Sequence, residues 1–316
     1  MRFLAKHPLF VLVGPTAVGK TKISIEIAKE IGGEIISADS MQVYIGLDIG
    51  TAKIKPQEAE GIPHYLIDIK KPTEFFSAAE FKTLCEEKIN FISKGGNIPM
   101  LVGGTGLYIN SLINDYDFTE NANVAFIRQS LWEECEKRGI EFLRQRLKEI
   151  DPASWERLHP NDHKRIIRAL EVFSLTGRPI SSYHNAQEDS VSKYNLTMVG
   201  LIRERENLYN RINLRVDLMI KEGWIEEVKS LLEKGTPRSA PAFQGLGYKQ
   251  LVSFLSGEIS LEEAVELIKR DTRRYAKRQV TWFKRDKRIH WIDVDKNKEK
   301  DVIKEIMNLI SRSIQR

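Results

Sequence analysis

The sequence predicts an α/β fold in which a parallel β-sheet is flanked by helices and interrupted by an inserted all-helical subdomain. Short apolar runs alternate with segments of helical period, which is the pattern of βαβ units. A glycine-rich phosphate-binding motif joins the first apolar run to the first helical segment. Between residues 118 and 190 the strand signal disappears, and the sequence there is charged with a helical period.

The buried strands are predicted where apolar residues form short continuous runs, as they do in strands covered on both faces. The helix after the first strand carries Ile23, Ile27 and Ile31 on one face, and Gly32-Gly33 ends it. We therefore expect a core of residues 1–117 and 191–316, with 118–190 as the insertion. The predicted strands are residues 9–13, 34–38, 65–69, 98–102 and 196–201.

Two further helices are predicted in the second half of the core. In residues 206–222 the apolar stripe is buried, which leaves Arg211 and Arg215 one turn apart on a flank. Ser260 and Glu263 form a capping box that opens a long helix to about residue 285. On that helix Tyr275, Gln279 and Trp282 share a face.

The composition is that of an ordinary globular protein, with 41% hydrophobic and 29% charged residues. No apolar run approaches the length of a membrane span, and Cys85 and Cys135 lack metal-ligand spacing. These features predict a cytoplasmic protein with no membrane partner, and we expect a monomer.

The positive charge is concentrated rather than spread. The net charge is only +5, but residues 269–288 hold ten Lys or Arg against two Asp. Aromatic residues lie among these charges, and basic groups beside aromatic rings suit phosphates and stacked bases. This segment favours a nucleic-acid partner, and a solvated helix face is the alternative.

The strongest motif is GPTAVGKT, which follows a predicted strand and precedes a predicted helix. Its glycines let backbone N–H groups point at a phosphate, Lys20 supplies a charge, and the Thr21 hydroxyl can hold Mg²⁺. The motif predicts a P-loop NTPase-like sheet that binds a di- or triphosphate. Its residues are Gly14, Pro15, Thr16, Ala17, Val18, Gly19, Lys20 and Thr21.

An ordinary nucleoside triphosphatase would also show a strand that ends in a metal-binding Asp. The strand at 98–102 ends instead in GGTGLY, which offers backbone N–H groups and the Thr105 hydroxyl. The second strand does end in an acid, Asp39, at the edge that faces the ligand crevice in open α/β sheets. Asp39 is therefore a candidate base or metal neighbour, with a turn residue or helix cap as the alternative.

Seven blocks of sequence, spread in order along nearly the whole chain, carry a family resemblance. They are GPTAVGKT, ADSMQVYIGLDIGTAK, LVGGTGLYI, HPNDHKRIIRALEV, RINLRVDLMI, FQGLGYKQ and RRYAKRQVTWF. Together they resemble the tRNA dimethylallyltransferase family, also called tRNA isopentenyltransferase. The resemblance implies transfer of a dimethylallyl group from its diphosphate to the N6 amine of the adenosine 3′ to the anticodon. It also implies Mg²⁺ as cofactor and a helical insertion that grips the anticodon stem-loop.

This chemistry assigns roles to four predicted catalytic residues. An exocyclic amine is too weak an acid for a carboxylate to deprotonate in the ground state, so departure of the diphosphate must lead. Asp39 then takes the proton as the amine bonds to carbon, Thr105 hydrogen-bonds near the leaving oxygen or the base, and Arg211 or Arg215 completes the diphosphate clamp.

The adenine must leave its stack, so the crevice mouth and the insertion are predicted to contact RNA. For each basic residue among them, a solvated helix face is the alternative. The predicted RNA-binding residues are Asp39, Ser40, Met41, Gln42, Thr105, Arg128, His163, Lys164, Arg165, Ile166, Ile167, Phe243, Gln244, Gln279 and Trp282.

Two other functions remain open from the residues alone. One is a P-loop nucleotide kinase, or an enzyme that prenylates free adenine nucleotides, although neither needs a helical insertion or a basic helix. The other is an ATP-switched RNA-binding protein, which needs a Walker-B acid that the sequence does not display.

Overall fold

The computed structural model describes residues 7–116, 118, 124–182 and 192–314. A six-stranded, all-parallel sheet has the strand order β3-β2-β4-β1-β5-β6. The strands are β1 Pro8–Val13, β2 Gly33–Ala38, β3 His64–Tyr65, β4 Ile98–Gly103, β5 Asn195–Ile202 and β6 His290–Asp293. The predicted α/β class is confirmed.

Helices lie on both faces of the sheet, as parallel strands with buried side chains require. The helix after β1 ends at Gly32, whose φ of 63° is left-handed, and its Ile23 and Ile27 are buried as predicted. The helices along the first half of the chain are α1 Lys20–Ile31, α2 Pro56–Ala59, α3 Ala78–Lys94, α4 Gly106–Ile113, α5 Val124–Arg138, α6 Ile140–Ile150, α7 Pro152–Arg157 and α8 His163–Thr176. Those of the second half are α9 Arg205–Lys221, α10 Trp224–Glu233, α11 Tyr248–Leu255, α12 Leu261–Phe283 and α13 Glu299–Ile314, with a 3₁₀ turn at Pro241–Gln244.

The strand order determines which loops meet at the carboxyl edge of the sheet. β4 pairs with β1 on one side and with β2 on the other, in continuous register. The segments that follow β2, β4 and β1 are therefore neighbours, and they carry Asp39, Thr105 and the phosphate-binding loop. β5 lies on the other side of β1, so the residues after it border the loop as well.

The third predicted strand is largely wrong. Residues 65–69 were expected to be a strand, but β3 is only His64–Tyr65. Leu66 and Asp68 have φ values of 61° and 55°, and a left-handed residue cannot continue an extended strand. The sequence analysis also missed β6, because an apolar run within only four residues is too short to be recognised as a strand.

Two compact units divide the chain. Unit 1 comprises Met1–Asp115 and Ser192–Arg316, and unit 2 comprises Tyr116–Val191. The division falls at 116 and 191, against the predicted 118 and 190, although residues 183–191 lie outside the described part of the chain. The described residues of unit 2 contain α5 to α8 and no strand.

Unit 2 has an apolar core of its own. Leu131 and Leu143, among others, are buried in it, and Trp132 and Trp155 pack against it partly exposed. In the described residues of both units, no helix is long and apolar enough to cross a membrane.

Candidate functional site

A cleft of about 730 Å³ opens at the carboxyl edge of the sheet, and all its lining residues belong to unit 1. The phosphate-binding loop forms one wall, the segment after β2 a second, and α9 with α12 the others. Three of the four predicted catalytic residues line it directly, namely Asp39, Arg211 and Arg215, and so do Lys20 and Thr21 of the predicted phosphate-binding motif.

The phosphate-binding loop connects β1 to α1. Gly14 has a φ of 151°, and a Cβ there would lie 2.7 Å from the carbonyl oxygen of Leu201, so only glycine fits beside β5. Ala17 and Gly19 are also left-handed, with φ values of 64° and 111°. Such alternation curls a loop so that its N–H groups surround an anion.

The members of this loop divide between the cleft and the protein interior. Gly14, Pro15 and Val18 form its buried base, and the Val18 side chain belongs to the apolar core. The residues that line the cleft are Thr16, Ala17, Gly19, Lys20 and Thr21.

Lys20 lies inside the loop rather than in open solvent. Its Nζ donates hydrogen bonds to the carbonyl oxygens of Gly14, at 2.8 Å, and Pro15, at 3.0 Å. Burial lowers the pKa of Lys20 to about 8, with Asp39 opposing and Arg215 adding to that shift. Both hydrogen-bond partners of the ammonium group are thus carbonyl oxygens and neither is a carboxylate. An anion in the loop would stabilise the charge of Lys20.

This pKa makes anion binding depend on pH. Above pH 8 the neutral form of Lys20 dominates, so affinity for inorganic diphosphate should fall by up to about tenfold per pH unit between pH 8 and 9.5. Arginine keeps its charge in this range, so Lys20→Arg should lose the effect. Calorimetric titration of both proteins measures it, and the ionisation of the probe cancels in their ratio. Parallel pH profiles would show that Lys20 does not titrate in this range.

Three arginines surround the loop. Arg211 Nε donates to the carbonyl oxygen of Ala17 at 3.0 Å. Arg203, which follows β5, donates from Nε to the carbonyl oxygen of Val18 at 3.0 Å and pairs with Asp295. The sequence analysis missed Arg203, and its place directly after a core strand was the only local signal.

Arg215 differs from the other two because it is free to receive an anion. It lines the cleft one turn after Arg211 and makes no hydrogen bond to any described residue. Burial lowers the pKa of its guanidinium, Asp39 opposes that shift and Arg211 adds to it. An unpaired, half-buried guanidinium is suited to a bidentate contact with a phosphate group.

Asp39 sits directly after β2 on the cleft wall. Its Oδ1 accepts hydrogen bonds from the backbone N–H groups of Met41, at 2.8 Å, and Gln42, at 3.3 Å. Its Oδ2 has no donor among the described residues. One oxygen thus fixes the carboxylate through a turn, and the other is available as an acceptor in the cleft.

Thr105 lies behind the wall and not on it. Its Oγ1 accepts the N–H of Ser40 at 3.1 Å, and the hydroxyl of Tyr275 hydrogen-bonds to it. Burial, aided by the charge of Asp39, raises the pKa of Tyr275 to about 12. Of the two predicted positions for Thr105, the structure favours the one beside Asp39.

Gln279 connects the phosphate-binding loop to the turn after β4. Its Oε1 accepts the N–H of Thr16 at 2.9 Å, and its Nε2 donates to the carbonyl oxygen of Gly104 at 2.9 Å. A Cβ on Gly104 would collide with this amide, which explains a glycine there. Gln279, which was predicted to bind RNA, lines the cleft with both ends of its amide bonded within the protein; its observed role is to connect these two segments, and RNA contact stays a prediction.

The other predicted residues of the crevice mouth have different environments. Gln42 Oε1 accepts a hydrogen bond from Ser37 at 2.8 Å, and its Nε2 donates to the carbonyl oxygen of Thr51 at 3.2 Å. Ser40 and Met41 line the cleft, and Gln244 is exposed at its rim.

Phe243 was expected to contact RNA, but it is buried in the core formed by α9, α10 and α11. Its side chain therefore has no surface to offer, and that prediction is wrong.

The basic segment 269–288 is partly neutralised within the protein. Lys269 pairs with Asp217 at 2.8 Å, Arg270 with Asp271 at 3.0 Å, and Arg288 with Asp286 at 2.7 Å. Other cations of this segment have no ion-pair partner in the described residues, namely Lys277, Arg278, Lys284, Arg285 and Lys287. Trp282 is partly exposed beside them and covers Gly106.

In unit 2 the predicted RNA-binding residues come from α5 and from the start of α8. Asp162 caps α8 by accepting the N–H of Arg165 at 3.2 Å, and Lys164 and Arg165 are exposed. His163 is half-buried, and Arg128 of α5 is paired with Glu171.

Ile166 and Ile167 were predicted to contact RNA, but both are buried in the core of unit 2. They anchor the helix that presents the charged residues, so the prediction of direct contact is wrong for their side chains.

The oxygen donors of the cleft fit a magnesium ion that is shared with a diphosphate. Among the described residues, no three His, Cys, Asp or Glu side chains are grouped as a metal centre. Mg²⁺ commonly takes one or two protein oxygens together with phosphate oxygens and water. Thr21, exposed in the first turn of α1, would supply the protein oxygen.

A family model and individual sequence relatives point to the same family. The IPP transferase family model matches residues 42–286. A tRNA dimethylallyltransferase of Alkaliphilus oremlandii is 51% identical over 289 residues, which cover 92% of this chain and 92% of that protein. One from Anoxybacillus flavithermus is 52% identical over 284 residues, covering 90% and 89% of the two chains.

Solved structures agree with the sequence comparison. The full-length tRNA isopentenylpyrophosphate transferase of Bacillus halodurans is 44% identical, covers 98% of this chain and 99% of its own, and has a TM-score of 0.72. A eukaryotic dimethylallyltransferase acting on tRNA is 31% identical, covers 91% of this chain and 74% of its own, and has a TM-score of 0.76. The chain therefore belongs to the IPP transferase family.

Proposed function

We propose that this enzyme transfers a dimethylallyl group from dimethylallyl diphosphate to the N6 amine of the adenosine 3′ to the anticodon in tRNA. Transfer of a prenyl group to tRNA follows from the names of its relatives. The proposal of this donor and this acceptor rests on one observation. A cradle for a diphosphate and a carboxylate with an available oxygen line the same cleft. The cradle holds Lys20 and Arg215, and the carboxylate is Asp39.

In the proposed reaction the bond between the allylic carbon and the diphosphate oxygen breaks as the bond from N6 to that carbon forms. The negative charge that builds on the diphosphate is stabilised by the loop N–H groups, Lys20, Arg211 and Arg215. The amine becomes acidic only as it bonds to carbon, and Oδ2 of Asp39 then accepts its proton. Diphosphate and the modified adenosine are the products.

Mg²⁺, when bound through Thr21, would neutralise part of the diphosphate charge. Thr105 holds the N–H of Ser40, next to Asp39, and so supports the carboxylate from behind. Leu214, Leu218 and Met219 line the cleft with apolar side chains, and contact of these side chains with the allyl group would limit its hydrolysis by water.

The test supplies labelled dimethylallyl diphosphate with unmodified tRNA, a tRNA whose adenosine 3′ to the anticodon is replaced by guanosine, or free AMP. Label should enter only the first, and nuclease digestion should recover it as N6-dimethylallyladenosine. Label in AMP would instead identify an enzyme of free adenine nucleotides. Label in the guanosine variant would overturn the proposed position.

We also propose that unit 2 grips the anticodon stem-loop through the exposed charges of α8. Each phosphate contact releases counterions, with a slope of about −0.7 to −0.9 in log affinity against log salt. Changing Lys164 and Arg165 to Gln should flatten that slope by about one to two units. Lys229→Gln, an exposed lysine of α10 paired with Glu233, is the matched control.

The measurement is a titration of stem-loop binding at several salt concentrations for the three proteins. An unchanged slope in the double variant would assign these two charges to the solvated surface. The cytoplasmic location, the monomeric state and Mg²⁺ as cofactor remain predictions from the sequence.

A further inference from the structure

A carboxylate is buried in unit 2, whereas the cleft is lined by residues of unit 1. Glu171 lies in the second half of α8 and has 0% of its side chain exposed. Arg128 of α5 binds it with two nitrogens, Nε at 2.6 Å and a terminal nitrogen at 3.2 Å. Arg168, one turn earlier on α8, pairs with Oε1, the oxygen that also accepts the terminal nitrogen of Arg128. One acid therefore holds two arginines.

Stability alone gives no reason for this arrangement. The core cluster of unit 2 is apolar, Asp151 and Ser154 are the other buried polar residues described in this unit, and Glu is rarely fully buried without a partner. A buried ion pair contributes little net stability, because desolvation of the charges offsets their attraction. An apolar residue of similar size would fill the same space. The feature that only the acid supplies is the fixed position of the two guanidinium groups.

The two arginines remain available to a partner. Their side chains are 52% and 46% exposed, although Glu171 is not exposed at all. Each guanidinium has five N–H donors, and the carboxylate occupies only some of them. Two positive charges against one negative leave the cluster with a net positive charge. Burial and, to a lesser extent, the nearby charge of Arg128 lower the pKa of Arg168.

The cluster also continues a row of positive charge. Lys164 and Arg165 precede Arg168 by one turn of α8, so all three lie on the same exposed side of the helix. Arg128 adds a fourth cation from α5. On this face of α8, Arg168 is anchored by the buried Glu171. The face therefore differs from a simple solvated surface, where long charged side chains move freely.

We propose that Glu171 is a positioning residue for RNA, which orients Arg128 and Arg168 as a rigid clamp on a backbone phosphate. The proposal rests on tRNA being the acceptor. Planar guanidinium groups bind phosphate bidentately, and less entropy is lost when their orientation is already fixed. Glu171 would act through the arginines and would not itself touch RNA.

The first variant is Glu171→Gln, which keeps the shape and removes the charge. The amide cannot hold two guanidinium groups, so the KM for tRNA should rise about tenfold or more, since one charge-assisted contact is worth that much. The kcat at saturating tRNA and the KM for the prenyl donor should stay within about twofold. Glu171→Asp, which restores the charge, should recover part of the tRNA affinity.

The second variant set separates positioning from folding. In the background Arg128→Gln with Arg168→Gln, adding Glu171→Gln should cause no further loss of tRNA affinity. Circular dichroism and thermal melting check that each protein is folded. The wild type must modify tRNA in the same assay, so failure of the proposed function would be recognised separately.

Two results would overturn the proposal. A folded Glu171→Gln protein with a tRNA KM within twofold of wild type would make the cluster structural only. An equal loss of affinity in the background that lacks both arginines would show that Glu171 does not act through them. A lower melting temperature with unchanged tRNA binding falls under the first result.

Discussion

Asp39→Asn should slow the single-turnover transfer of the prenyl group about 10²–10⁴-fold, which is the usual contribution of a general base. The amide oxygen can still accept the N–H groups of Met41 and Gln42, so the turn after β2 keeps its shape. The group that is lost is the proposed proton acceptor. Binding of tRNA should stay within about threefold of wild type.

The same substitution should leave diphosphate binding unchanged or slightly tighter. Asp39 is a negative charge close enough to Lys20 and Arg215 to affect the pKa of both. Its removal reduces repulsion of an anionic ligand. Asp48→Asn is the control, since this exposed acid of the following segment pairs with Lys53 at 2.7 Å. Rapid-quench assays measure the rate, and a rate within threefold of wild type would remove Asp39 from the mechanism.

Residues close to a motif could be predicted because short-range rules determine their positions. A P-loop between a strand and a helix predicts an anion site without any tertiary information. Asp39 followed from the rule that ligands bind at the carboxyl edge of parallel strands. Arg211 and Arg215 followed from the helical period, which placed both on the unburied flank of α9.

Other contacts depend on residues that are distant in the sequence, and no local pattern reveals them. Gln279 meets Thr16 across 263 positions, and Arg203 meets Val18 across 185. The partnership of Arg128 with Glu171 across two helices is of the same kind. Such pairs are set by the packing of helices on the sheet and within unit 2.

The wrong predictions of RNA contact by Phe243, Ile166 and Ile167 have a common physical cause. A short motif was treated as if all its residues faced the same way, although consecutive residues of a helix point in different directions. Lys164 and Arg165 are therefore exposed, while Ile166 and Ile167 are buried. Phe243 and Gln244 are likewise adjacent, with one in the core and the other at the rim.

Gln279→Met should lower kcat/KM for prenyl transfer about 10²-fold, because it disconnects the two sides of the cleft. The thioether fills a similar volume but provides neither the acceptor for the N–H of Thr16 nor the donor for the carbonyl oxygen of Gly104. The P-loop and the turn that carries Thr105 would then be free to separate, and a displacement of about 1 Å can reduce catalysis by that factor. Unsatisfied buried groups should also lower the free energy of unfolding by about 1–3 kcal/mol each.

A matched control distinguishes the catalytic effect from lost stability. Gln250 also makes two hydrogen bonds, accepting the N–H of Gly247 at 2.9 Å and donating to Asp271 at 3.1 Å, but it touches neither the P-loop nor the turn after β4. Gln250→Met should lower stability by a similar amount and leave kcat/KM within about threefold. Steady-state assays and thermal melts of both variants give the comparison. If Gln279 connects the P-loop to the turn after β4 for catalysis, only Gln279→Met should lose prenyl transfer. If both variants instead lose activity in proportion to their lost stability, Gln279 is a structural residue.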